Sequence, residues 1–181
     1  MREQECIYAW DVMNEPSSNV TIWYAEGEQK QAQEHRVWSF VKHFCSVMHN
    51  ADANCEITCG VANVAEIPAI AEHLDLICFH DYSPSRAAIE DTIGQAKSFG
   101  EQYCKQILCT EMGCLARSNP YDMCIELYDK HAVGFVLWDL VIGKSMWKDI
   151  HGVVYPDGTV RDPSIAAALM GFFRNRTPAS V

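Results

Sequence analysis

Positive charge is scarce in this sequence: fourteen lysines and arginines stand against twenty-four aspartates and glutamates, for a formal net charge of -10. So acidic a chain repels phosphate backbones and anionic lipid headgroups, and no nucleic-acid partner is expected. Long hydrophobic runs are also lacking. The longest, near Ala132 to Gly143, is broken by Asp139 and falls short of the roughly 20 apolar residues that span a bilayer, so no membrane partner is expected either. The opening residues, Met1 to Cys6, contain no apolar signal-peptide core. As written, the chain is expected in the cytoplasm, an expectation that turns to secretion if it is the later part of a longer enzyme. Linkers and low-complexity segments are absent, which predicts one domain over residues 1–173 followed by a flexible tail at 174–181.

Paired cysteines are missing too. None of the nine cysteines forms a Cys-x-x-Cys pair, and Cys6, Cys78 and Cys109 fall inside apparent strands, where a free thiol packs as a small hydrophobe. The set Cys104, Cys109, Cys114 and Cys124 is spaced unlike any usual zinc ligand pattern. Neither a metal nor a cofactor is expected. The glycine-rich phosphate turn of a dinucleotide-binding sheet is lacking as well, because Asn14-Glu15-Pro16 occupies the position after the first strand.

What is present is an apolar content of 49% with 21% charged residues, enough for a packed core. Ile7 to Met13 is apolar, aromatic and β-branched and reads as a strand covered on both faces. Pro16 biases Glu15 toward an extended backbone at that strand's end. Further strands are predicted over Cys55–Val61, Leu74–His80, Gln106–Gly113 and Val133–Trp138. Helices are predicted over 29–49, with Val37, Phe40, Val41, Phe44 and Met48 as its apolar stripe, over 86–99 with Gly100 as its stop, from Pro120 to His131, and over 163–173. A short helix is expected near Pro68 to His73 and a hairpin around Pro156-Asp-Gly158. Strand followed by helix, five times over, is the pattern of a parallel sheet with crossover helices. The fold class is therefore α/β, a partial (β/α)8 TIM barrel of about five βα units with a small β-hairpin near the C-terminus.

In such a barrel the chemistry sits at the C-terminal ends of strands. Glu15 and Glu111 both occupy such ends, and a pair of carboxylates there suits glycoside hydrolysis. Asn14-Glu15-Pro16 resembles the acid/base motif that ends the fourth strand in the clan of (β/α)8 retaining glycoside hydrolases that includes cellulases and mannanases, as in family 5. Thr110-Glu111-Met112-Gly113 is similar to its seventh-strand nucleophile motif, His80-Asp81-Tyr82 to its sixth-strand His-x-Tyr, and Trp138 to its eighth-strand tryptophan. Tyr155 to Pro163 also looks family-like. The resemblance implies strands four to eight of the barrel, with Glu15 as acid/base and Glu111 as nucleophile on a β-linked oligosaccharide or polysaccharide. It further implies that Asn14 meets the sugar 2-hydroxyl, Tyr82 orients Glu111, His80 lines the cleft and Trp138 offers an apolar face to a sugar ring. Asp139 is a candidate either for binding substrate or for capping the loop, and Trp10, Asp11, Trp23 and Trp147 are candidate cleft residues without assigned roles.

With strands one to three unaccounted for, exposed strand edges are expected to favour self-association or pairing with an N-terminal segment. The alternative to a working enzyme is a non-catalytic carbohydrate-binding or structural remnant.

Overall fold

The computed structural model describes residues 7–52, 54, 56–143 and 148–173. The expectations for Cys6, Trp147 and the tail at 174–181 lie outside the described residues. The elements in chain order are β1 (Trp10–Asp11), α1 (Val20–Trp23), α2 (Gly27–Ala51), β2 (Ile57–Thr58), β3 (Gly60–Val61), β4 (Leu76–Asp81), α3 (Arg86–Tyr103), β5 (Gln106–Met112), α4 (Tyr121–Lys130), β6 (Gly134–Phe135) and α5 (Pro163–Leu169). β1 pairs with β2 in parallel, and the remaining strands follow the order β3-β4-β5-β6, with β3 and β4 parallel. This is a partial α/β barrel of about five βα units, as the strand-helix alternation predicts. No helix among the described residues is long and apolar enough to cross a membrane. The chain divides into two compact units, Met1–His80 with Gly94–Cys109, and Asp81–Ile93 with Thr110–Val181.

In the first unit, the expected second strand is split at Cys59. β2 serves β1, with Trp10 opposite Ile57, while β3 serves β4, with Gly60 opposite Cys78. One short segment thereby has a neighbour on each side, and Ile57 through Val61 is buried throughout. β4 is buried at all six positions, as a strand covered on both faces must be.

Two expectations fail here. The Ile7–Met13 stretch is not a strand buried on both faces: only Trp10 and Asp11 are extended in the sheet, and Tyr8 and Trp10 are 66% and 36% exposed. Among the described residues β1 has a strand neighbour on one edge, β2, and is only two residues long. In α2 the buried positions are Val41 and Cys45, one turn apart, whereas Phe40 and Phe44 are exposed. Those two rings meet each other instead, with centroids 4.9 Å apart.

Gly100 is not the stop of α3. The helix runs on to Tyr103 and ends at Cys104, whose φ is 55°, with Lys105 N–H returning to the carbonyl of Gly100 at 2.9 Å. Glycine is required at 100 by close approach: a Cβ there would meet Ile107 Cγ2 at 2.9 Å and the Lys105 carbonyl at 3.0 Å. Gly94, in the same helix, has nothing within 4 Å of such an atom. Gly94→Ala is therefore expected to stabilise by about 1 kcal/mol through helix propensity. Gly100→Ala should lose that gain and more, for a net loss of about 1 kcal/mol. Urea midpoints of the two variants would carry opposite signs; equal shifts would remove the packing role of Gly100.

In the second unit, α4 starts after Pro120 as expected and buries Tyr121, Leu127 and Tyr128. β6 is shorter than the predicted Val133–Trp138: Ala132 turns through φ 52° just before it, and past its end Trp138 N–H reaches the carbonyl of Met112 at the end of β5. The predicted hairpin is present as a turn, with Tyr155 N–H bonded to the Thr159 carbonyl and an antiparallel bridge between Val154 and Val160. Asp162 caps α5 through Ser164 N–H at 2.8 Å, and the helix stops at Leu169, short of the expected residue 173, with Gly171 at φ 81°.

Candidate active site

β4 and β5 place the side chains that matter. Asp81 is the last residue of β4, with His80 just before it and Tyr82 just after it. Asp81 is 2% exposed and accepts hydrogen bonds from Tyr128 Oη at 2.9 Å and Ser83 N–H at 2.9 Å. Burial pushes its carboxyl above the ordinary aspartate value despite those bonds. This anchors the segment from behind, so that the residues on either side of Asp81 project in a fixed direction.

In the first unit His80, 2% exposed, lies with Nδ1 2.7 Å from Glu15 Oε1. Glu15 does not have the extended backbone that Pro16 favours: its φ of 42° and ψ of 65° are left-handed. Tertiary bonds impose this, because Glu15 N–H donates to the Gly60 carbonyl at 2.8 Å and its own carbonyl accepts from Ser18 at 2.9 Å, opening the turn Pro16–Ser18. Asn14, beside it, is exposed.

A third carboxylate stands near this pair. Glu66 accepts from Ser17 Oγ at 2.7 Å, Asn63 Nδ2 at 3.1 Å and Ala62 N–H at 3.3 Å. Burial raises its carboxyl above the usual range, the bonds from Ser17 and Ala62 oppose the rise, and the negative charge of Glu15 adds to it. Sequence reasoning missed Glu66. The only local signal is Asn63 three residues before it, the spacing of a capping box, which announces a turn and not a site.

In the second unit Tyr82 donates its hydroxyl hydrogen to Glu111 Oε2 at 2.8 Å. Two neighbours of Tyr82 were also absent from the sequence reading. His151, 7% exposed, meets the Tyr82 ring edge-on with centroids 5.6 Å apart, and its Nδ1 lies 2.8 Å from the Gly113 carbonyl and 3.2 Å from that of Trp138. The guanidinium of Arg117 lies over the ring, with Cζ 4.9 Å from its centroid. Trp138 is 41% exposed, its carbonyl accepts from Tyr121 Oη at 2.7 Å, and the Trp138–Asp139 peptide is cis. Burial pushes the Tyr121 phenol up to about 12.

The structure therefore brings Glu15 together with His80, and Glu111 together with Tyr82. Asn14 and Trp138 occupy exposed positions in their respective units. A carboxylate beside a buried imidazole can exchange a proton, and one that accepts from a phenol hydroxyl is held in a set orientation.

No family model matches the sequence, and neither does any curated protein. Solved structures do. A calcium-binding mutant of Bacteroides uniformis β-glucuronidase 2 matches 92% of this chain over 23% of its own length, at 15% identity and a TM-score of 0.65. A psychrophilic family 10 endo-β-1,4-xylanase matches 90% over 60% of its length, at 15% identity and 0.61. A β-glucuronidase from an uncultured Clostridium species matches 92% over 32% of its length, at 16% identity and 0.58. The chain thus spans from under a quarter to three fifths of these structures. What they share with it is the fold, and they do not single out cellulases, mannanases or family 5.

Proposed function

We propose that this chain carries the catalytic carboxylates of a retaining glycoside hydrolase acting on a β-linked glycan, with Glu111 as nucleophile and Glu15 as acid/base. The observation that supports this reading most is that each motif glutamate is hydrogen-bonded by one member of the His80-Asp81-Tyr82 segment, Glu15 by His80 and Glu111 by Tyr82. In the first step Glu111 attacks the anomeric carbon as its bond to the leaving oxygen breaks, and the proton of Glu15 passes to that oxygen. In the second, Glu15 takes a proton from water, the water oxygen bonds to the anomeric carbon, and the ester to Glu111 breaks. The mechanism requires the two carboxyls to stand about 5 to 5.5 Å apart. Proton NMR of an aryl β-glycoside digest is expected to show the β-anomer of the product first; initial release of the α-anomer would exclude retention.

Tyr82 has a definite part in this scheme. Its hydroxyl donates to Glu111 Oε2 at 2.8 Å and orients the carboxylate for attack. Tyr82→Phe deletes one hydrogen bond to a charged group, worth about 1.5 to 3 kcal/mol, so kcat should fall roughly 10- to 100-fold with little change in KM. An unchanged kcat would remove Tyr82 from the mechanism.

A second reading, a non-catalytic carbohydrate-binding or structural descendant, is favoured by one observation: among the described residues β1, which leads into Glu15, pairs with β2 alone. It predicts weak sugar binding with no turnover.

A further inference from the structure

Arg117 is exposed and closes the turn Leu115–Arg117, which is held unusually firmly for a surface loop. Cys114 and Asn119 exchange backbone hydrogen bonds at 2.8 and 3.1 Å, and Leu115 N–H reaches the Ile150 carbonyl at 3.1 Å. The Asn119 side chain, fully buried, accepts from Gly113 N–H at 2.8 Å and donates to the Ser83 carbonyl at 2.8 Å. The loop thus ties the residues just after Glu111 to those just after Tyr82, and sets the Arg117 guanidinium over the Tyr82 ring.

The two other arginines among the described residues of this unit are used internally: Arg86 forms a fork with Glu126, and Arg161 donates to the carbonyls of His151 and Lys148. Arg117 has no carboxylate among the described residues. A guanidinium held over a ring by its charge can still offer its N–H groups to a ligand, and those groups match a carboxylate in a two-bond fork, whereas a sugar hydroxyl uses a single bond and none of the charge. An acidic chain repels an anionic substrate unless a local cation receives it.

We propose that Arg117 is a specificity-determining residue that receives the carboxylate of an acidic sugar, making the substrate class of the Glu111 site a β-linked uronide. The inference rests on the glycosidase reading and adds the charge of the sugar to it. An Arg117 that served only to balance the charge of Glu111 would act on every substrate alike.

The test uses the full chain with 4-nitrophenyl β-D-glucuronide and 4-nitrophenyl β-D-glucoside, which differ only at C6. The glucuronide is expected to have the higher kcat/KM. In Arg117→Gln the uronide-to-glucoside ratio should fall at least about tenfold, the scale of one lost charged hydrogen bond, mostly through KM, and Arg117→Lys should restore part of it. A ratio unmoved in Arg117→Gln, or a neutral glucoside preferred by the unsubstituted chain, overturns the inference while hydrolysis abolished by Glu111→Gln keeps the glycosidase reading. Hydrolysis indifferent to Glu111→Gln overturns both. If neither compound is turned over, calorimetric titration with methyl β-D-glucuronide and methyl β-D-glucoside decides: uronide-selective binding lost in Arg117→Gln supports the inference, and equal binding or none overturns it.

Discussion

Glu111→Gln is expected to lower kcat for an aryl β-glycoside by on the order of 10⁴- to 10⁶-fold, the range seen when an enzyme's nucleophile is removed. Glutamine keeps the shape and can still accept from the Tyr82 hydroxyl, so the fold and KM should change little. What goes is the anion that bonds to the anomeric carbon. Glu15→Gln should behave differently. Loss of an acid/base group costs about 10²- to 10⁴-fold, and the cost depends on the leaving group. With a good leaving group the first step no longer needs the proton, so the glycosyl-enzyme should accumulate and appear as a burst equal to the enzyme concentration, with the slow second step revealed. A poor leaving group should show the full loss and no burst. Stopped-flow release of nitrophenol measures both variants; equal, small effects from the two glutamates would leave only the non-catalytic reading.

The second large effect concerns stability. Gly113 has φ 97°, and a Cβ on it would lie 2.2 Å from Tyr121 Cε1 and 2.3 Å from Cδ1. Alanine there is strained by its backbone and overlaps a fully buried ring at once. The ring cannot move cheaply, because Tyr121 Oη donates to the Trp138 carbonyl at 2.7 Å and accepts from Gly152 N–H at 2.8 Å. Gly113→Ala should therefore cost about 3 to 5 kcal/mol, a large part of the roughly 5 to 15 kcal/mol that holds a domain folded. Urea denaturation followed by tryptophan fluorescence checks this. A loss below about 1 kcal/mol would mean that Tyr121 has somewhere else to go.

The two positions show what the sequence made legible. β4 and β5 were readable because an uninterrupted apolar run that ends in a polar residue has few other uses. Glu111 was found the same way, as the first charge after Leu108 and Cys109. His80 and Tyr82 were picked out by the resemblance of His80-Asp81-Tyr82 to a family motif, since neither residue carries a signal of its own. The failures share a physical cause. The backbone of Glu15 is set by Gly60 and Ser18, not by Pro16. The exposure of Phe40 and Phe44 depends on which neighbour α2 has, and a stripe of apolar residues cannot state that. Arg117 reaches Tyr82 only because Asn119 closes the intervening loop through bonds to Gly113 and Ser83. A single arginine in a polar stretch carries no local sign of that closure.

The division of the chain into two units, each made of two separate stretches, bears on how the protein comes off the ribosome. The first unit needs Gly94–Cys109, so it is unfinished until Cys109 has left the exit tunnel, although its first eighty residues emerged long before. Asp81–Ile93 emerges between the two stretches and belongs to the other unit, whose remaining residues begin at Thr110. It must wait unpartnered while the first unit closes. Domains tend to fold as units during synthesis, and here no contiguous stretch is a unit. No single cut in the chain therefore separates the two units.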